Sequence, residues 1–522
     1  MGAALATLLA ACGAGASGPD AAANVAYDDN ASVVVAGALV GQDLDPYKAG
    51  GVIEGIIDIY DPLIRPKADL TVEPGLATSW EWSPDNLKLT LTLRQGVTFS
   101  DGTPFDSSAV IASLNRARTG ATSTQKATLA TITDVSADGP GKAVITVSQP
   151  NPALVSILSS PAGMPINPKL VGNDDAVRAG APGVGTGPYT VDRFQPTTQM
   201  VLKKRTDYWD AASTVHAPVS FTFNFSNDGN ARLNGLKSGQ YQAVQSTGTP
   251  GLNGPGALAD VDKHYAVTRA QGFPSLGITF AFAPPFDNPL VRQAISHAIN
   301  FDALAGLFST QMGCAPGRDT QLIRKGQLGY DPNAKGSTYD LDLAKRQMAQ
   351  AGYPDGKGFP PVVITSSTAS QDVVAAQAFQ PELAKIGIQM SINTQPSRAF
   401  LVAQLAGGKA QMATLNLPNG AGIDPSLGYN IGVLGQPPFV DVSTPAGTQY
   451  KNLIAQAAVA PDTAVRSTLY RQAEQIAQDN AFYIPFCRGF PGYAHTSKLS
   501  GFANDFWLLY GALKASSLTI TK

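Results

Sequence analysis

Three cysteines (Cys12, Cys314, Cys487) and four histidines (His216, His264, His297, His495) are all that 522 residues hold of these two ligand types. The histidines are scattered, without HExxH or the cysteine–histidine spacing that holds zinc, so no metal site is expected. Charged residues make up only 15%, and 37 Lys+Arg against 39 Asp+Glu leave a net charge of −2. That balance excludes the basic footprint of a nucleic-acid binder. No run of eighteen apolar residues occurs, so no segment reads as a membrane-spanning helix. A GxSxG elbow and a Walker A sequence are both missing. Gly13 to Gly18 matches GxGxxG, but no strand precedes it. Ser123 to Lys126 fits SxxK without the KTG partner. Neither catalytic residues nor a cofactor are expected.

What the chain does have is 43% hydrophobic residues, 52 glycines and 38 prolines. The length exceeds what one core usually supports, so two or three domains are expected. Glu73 to Arg116 is the most informative stretch. Leu87, Leu89, Leu91 and Leu93 alternate with polar residues, which predicts a strand with one leucine face inward. Gln95-Gly96 ends that strand, and Val97-Thr98-Phe99 reads as the start of a second. Asp101-Gly102 with Pro104 forms a tight turn. Asp106 caps a helix whose apolar stripe is Val110, Ile111 and Leu114.

The wording LRQGVTFSDGTPF, preceded by EPGLATSWEWS, resembles the signature of the bacterial extracellular solute-binding proteins of family 5. Further elements follow in that family's order. They are Gly185-Thr186-Gly187-Pro188-Tyr189, the helix from Asn288 through Ala294, and Ala344 to Phe359. Phe379 to Ile392 and the strand Phe482 to Phe486 complete them. Asn288 reads as a cap with Pro289 at the first helical position, and Val291, Ala294, Ile295 and Ala298 as the buried stripe. Asp462 caps a later helix with Val465, Leu469, Ala473 and Ile476 inward. The resemblance implies an α/β fold of the periplasmic-binding-protein-like class, type II, with two hinged lobes and three discontinuous domains. Lobe 1 would comprise 32–63, 184–284 and 489–522. An inserted domain would span 64–183, and lobe 2 would span 285–488.

The implied function is capture of a peptide-like solute for the permease of an ATP-driven (ABC) importer, by a monomer and without catalysis. An oligosaccharide, a metal chelate or haem are alternative solutes; a surface chaperone or sensor, or an exported enzyme, are alternative roles. Ligand candidates on lobe 1 are Gln42 and Asp43, in a segment resembling the family's LDP loop, where Asp45-Pro46 reads as structural. Those on lobe 2 are Phe400, Asn416, Asp424 and Tyr429. In peptide-binding relatives an Asp in the segment matching Asn416–Leu427 holds the ligand's amino terminus. That position is Ala421 here, and Asp424 is the nearby carboxylate. Gln242 stands where family members often carry Asp, which implies a less acidic cleft. Leu9-Ala10-Ala11-Cys12 resembles a lipobox, so residues 1–12 are expected to end in a lipid-bearing Cys12 at the extracytoplasmic face of the membrane. Residues 13–31 would be a flexible tether of roughly 25 Å. Exported, Cys314 and Cys487 either pair in a disulfide or remain buried thiols.

Overall fold

The computed structural model describes residues 26–522 apart from 39–42, 49–52, 247–251, 253–264, 273–274, 316–319, 368–369, 396–400, 402, 406, 408, 418–421, 430–439 and 503–504. Its strands build a seven-stranded, a five-stranded and a four-stranded sheet, besides two small two-stranded ones. The seven-stranded sheet runs, in spatial order, through Tyr265–Arg269, Gly492–Thr496, Ala243–Gln245, Ser32–Gly37, Ser220–Phe225, Gln199–Lys204 and Tyr189–Gln195. The five-stranded sheet takes Met390–Gln395, Val362–Ser367, Met412–Leu417, Ser275–Phe280 and Tyr483–Arg488. No described helix is long and apolar enough to cross a membrane.

The leucine alternation becomes strand Lys88–Leu93 of the four-stranded sheet, with Leu89, Leu91 and Leu93 buried. The strand expected at Val97–Phe99 does not form. A single bridge, Thr98 to Pro104, closes a tight loop, with Gly102 in the left-handed region (φ +81°). Pro104 has no N–H to extend a ladder, and Asp101 accepts the Thr103 amide instead. Asp106 caps helix Ser107–Thr119 by accepting from the Ser108 amide at 2.8 Å. Asn288 and Asp462 cap their helices in the same manner. In helix Thr463–Asp479 the buried stripe is rotated from expectation. Val465 is 49% exposed and Leu469 and Ile476 are only partly buried, whereas Ala473 faces inward as expected, joined by Arg466, Tyr470 and Ala477. An arginine won the buried position because an acid waits for it there, as described below.

Two expected boundaries move. Strand Ser275–Phe280 pairs with Met412–Leu417 and Tyr483–Arg488, so lobe 2 begins about ten residues before the expected 285. Residues from 26 onward are not a tether. Tyr27 bridges to Thr521 and stacks on His216, and the Asp28 amide donates to Ile520 O at 2.8 Å. The inserted segment 64–183 carries its own sheet but not its own core. One continuous apolar cluster runs from Val33 and Val35 through Leu89 and Leu114 to Trp507 and Leu518. Lobe 2 holds two separate clusters, on opposite sides of its sheet strands.

Cys314 and Cys487 are joined by a disulfide that closes a separation of 173 residues. Cys487 sits in strand Tyr483–Arg488, one residue before lobe 2 ends. Removing a link over so long a loop frees the unfolded chain. Replacing both cysteines by serine is expected to lower the unfolding free energy by about 4–5 kcal/mol. Urea unfolding followed by circular dichroism measures it, because Trp80, Trp82, Trp209 and Trp507 all lie outside lobe 2 and report poorly on it.

Candidate functional site

The two large sheets are connected by two short crossovers. One leaves Arg269 and reaches Ser275; the other leaves Arg488 and reaches Gly492. They run antiparallel and bond to each other, Ala270 N to Pro491 O at 3.0 Å and Gly272 N to Gly489 O at 2.8 Å. Strands Tyr265–Arg269 and Gly492–Thr496 are neighbours in one sheet, as are Ser275–Phe280 and Tyr483–Arg488 in the other. Over the described residues the two crossovers form a paired ribbon that leads from the sheet of lobe 1 toward that of lobe 2. Gly272 has no space for a side chain: a Cβ there would lie 2.7 Å from Pro491 Cδ and 2.9 Å from Leu509 O. The lobe-2 end is braced from the side, where Cys314 bridges to Gly489 and Phe490 N donates to Gly313 O at 2.9 Å.

Away from the ribbon the lobes touch again. Ile423 and Leu427 of lobe 2 pack half-buried on the core of lobe 1 and its inserted segment. The Asp424 amide donates to Ser156 Oγ across this seam at 3.2 Å. Beside it lies a crevice of about 300 Å³, walled by Ala153 and Ile157 on one side and Ser426, Ala455 and Ala458 on the other. Nearer the ribbon, the charge of Arg324 on lobe 2 acts on the buried phenol of Tyr510 on lobe 1.

Gln42, Phe400 and Cys12 lie outside the described residues, as does Ala421. Asn416 falls in strand Met412–Leu417, its backbone opposite Leu276, and Tyr429 ends the short helix Ser426–Tyr429. Asp43 accepts the Asp45 amide at 3.1 Å and faces Arg178 at 3.7 Å. Asp45 is fully buried and held bidentately by Arg116 of the inserted segment at 2.6 and 3.1 Å. Gln242 precedes strand Ala243–Gln245, and its Oε1 accepts the Val34 amide at 2.8 Å, adding a side-chain bond to the pairing of that strand with the central strand Ser32–Gly37.

Asp424 carries resident partners. Its carboxylate takes Arg466 Nη1 at 2.8 Å and Nη2 at 2.9 Å, and the Ser426 amide at 2.9 Å. Burial opposes the charge on Arg466, but Asp424 outweighs it and holds the guanidinium above its ordinary range. A ligand ammonium would meet an already paired carboxylate here. Sequence reading missed this pair because Arg466 lies 42 positions away on another helix.

Glu54 also escaped notice, though its signal was visible: one acid inside the apolar run Val52-Ile53-Glu54-Gly55-Ile56-Ile57. It is 1% exposed in helix Ile53–Ile59, and its Oε2 has no hydrogen-bond partner. Burial pushes its carboxyl up to about 7, partly opposed by its own backbone N–H.

With the geometry in place, comparison with known proteins decides the family. The signature "Bacterial extracellular solute-binding proteins, family 5 Middle" matches residues 71–433. The chain belongs to that family. Glutathione-binding protein GsiB of Escherichia coli (strain K12) is 28% identical over 484 residues, covering 89% of this chain and 90% of GsiB. The ABC transporter-associated periplasmic binding protein DppA from Helicobacter pylori, solved with the peptide STSA, superposes with a TM-score of 0.75 at 23% identity. That match covers 95% of this chain and 99% of DppA. NikA from Brucella suis, solved with Fe(III)-EDTA, gives a TM-score of 0.80 at 22% identity, covering 94% of this chain and all of NikA (100%). These two likenesses establish the fold, that of the type II periplasmic binding proteins. The relatives named are binding proteins, not enzymes, and the chain is a solute-binding protein.

Two outcomes follow from the buried charges. Arg466→Ala leaves Asp424 buried without its cation and is expected to cost about 3–5 kcal/mol in urea unfolding. For Glu54, a folded-state value near 7 against 4.5 in the unfolded chain means the folded state holds the proton more tightly. Its contribution is therefore full below pH 4.5 and lost as pH rises through about 7. Glu54→Gln is expected to remove about 3 kcal/mol of that pH dependence, read as the difference in unfolding free energy between acid and mildly alkaline buffer.

Proposed function

We propose that this chain is the solute-capturing component of an ATP-driven importer and encloses a peptide-like solute, of dipeptide to glutathione size, between its lobes. The observation that carries this reading is the paired crossover. Among the described residues the chain passes between the two large sheets through this one narrow ribbon, so relative motion of the lobes would concentrate at Ala270–Gly272 and Gly489–Pro491. A solute that contacts both lobes favours the closed arrangement by its differential affinity, and without such contact nothing drives closure. The closed pair of lobes then presents one composite surface to the permease. A lipid on Cys12 would keep the protein, as a monomer, at the extracytoplasmic face of the membrane, within reach of that permease. GsiB and DppA, named for glutathione and solved with a peptide respectively, support a peptide-like cargo.

A thermal-shift series of dipeptides, tripeptides and glutathione, with oligosaccharides, haem and an iron chelate as comparison arms, tests the cargo. A true ligand at about a hundred times its Kd is expected to add about 2.7 kcal/mol and raise Tm accordingly. Peptides that leave Tm unmoved while a sugar, haem or chelate raises it would overturn the assignment.

A further inference from the structure

Lobe 2 meets the inserted segment through two of its loops, and the two loops are tied to each other. In the first, residues 422–427, Ile423 and Leu427 lie half-buried against the core of lobe 1 and its inserted segment, and the Asp424 amide donates to Ser156 Oγ at 3.2 Å. In the second, Gly326 comes so near the inserted segment that a Cβ there would lie 3.3 Å from Leu70 Cδ1. Gln327 joins the loops: its Nε2 donates to Gly422 O at 2.8 Å, and its Oε1 accepts the Arg324 amide at 3.0 Å. Opposite them, Ser156 sits in the short helix Leu154–Ile157, which is anchored by buried Leu154 and Ile157, and Leu70 is itself buried.

Each side of this seam is firm, and the contact between them is slight. The Arg466 guanidinium clamps the Asp424 carboxylate, and Pro425 O accepts the Gly428 amide at 2.9 Å, so the loop moves with lobe 2. Leu427 folds over Gly422, where a Cβ would sit 2.4 Å from Leu427 Cδ1; only a glycine leaves the leucine that room. Between Ala153 and Ile157 on one side and Ser426, Ala455 and Ala458 on the other stays the crevice of about 300 Å³. That is space for several waters, in contrast to the close packing of a protein interior. One hydrogen bond and a few half-buried aliphatic groups are a small contribution to folding. They are the right size to shift an equilibrium between two arrangements of the lobes several-fold.

We propose that the loop 422–427 is a latch. Docked on the inserted segment, it stabilises the closed lobes through protein contacts alone and thereby sets the affinity for any solute, whatever its chemistry. The inference rests on the lobe closure proposed above, but not on the identity of the cargo. Bending at Ala270–Gly272 and Gly489–Pro491 carries lobe 2 away from the inserted segment and parts the contacts at Ser156, Leu70, Ile423 and Leu427 together. Because the apparent affinity scales with the population of the binding-competent form, weakening the latch weakens all solutes by one common factor. A residue that touched the solute would instead affect different solutes unequally.

Small-angle X-ray scattering of the protein alone, wild type against Leu427→Ala and Ser156→Ala, tests the latch directly. Both variants are expected to show a larger radius of gyration than wild type, and identical radii in all three proteins would overturn the proposal. Isothermal titration with tri-alanine and glutathione supplies the second readout. Each variant is expected to lose roughly fivefold in affinity, by a factor that agrees within about twofold between the two probes. A loss confined to one probe would show that the loop touches the solute and would refute the latch. If neither probe binds any of the proteins, the cargo assignment fails, while the scattering comparison still decides the latch. Should a variant not fold by circular dichroism, hydrogen–deuterium exchange of wild type decides. The Asp424 amide is expected to exchange at least about tenfold more slowly than an exposed amide, and unprotected exchange there would mean that the seam is not docked.

Discussion

The pairing of two crossover segments, amide to carbonyl, governs how this molecule can move. A single strand between two sheets would leave the lobes free to twist about it. Two antiparallel strands bonded at Ala270–Pro491 and Gly272–Gly489 restrict the freedom to bending of the ribbon. The packing of Pro491 and Leu509 against Gly272 narrows it further. On the lobe-2 side the Cys314–Cys487 disulfide and the Gly313–Phe490 contact clamp the ribbon where it enters the sheet. The proposed bending would thereby fall on a few residues, while each lobe keeps its own buried apolar clusters.

Buried charge is distributed in keeping with that division of labour. Asp45–Arg116 fastens the inserted segment to lobe 1, and Asp424–Arg466 fastens a seam loop to the helices of lobe 2. Each pair is bidentate and closed, so it serves rigidity within a body rather than attraction between bodies. Among the described residues, what crosses the seam is weaker: the Asp424 amide to Ser156 Oγ, and the half-buried side chains of Ile423 and Leu427. Contacts of that kind are made and broken at modest cost, as the proposed closure of the lobes requires. Glu54 belongs to neither class: its Oε2 has no hydrogen-bond partner among the described residues.

Some of this architecture was legible residue by residue. The leucine alternation before Gln95-Gly96, the caps Asp106, Asn288 and Asp462, and the Val291–Ala298 stripe follow from rules that act over three or four residues. Those rules failed where a distant partner overrode them. Val465 gave up the inward position to Arg466 because Asp424 required it. Gln242, read as a lost charge in a cleft, binds the Val34 amide some two hundred positions earlier (208).

By itself the sequence determined the family, the α/β class and the local punctuation of the chain, because those depend on the order of residue types and on short-range backbone preference. Only the tertiary structure decided where lobe 2 begins and which distant groups hold the buried acids. Those outcomes depend on what lies opposite a side chain in space, and chain separations of 42 residues for Asp424–Arg466 and 457 for Asp58–Ala515 leave no local trace.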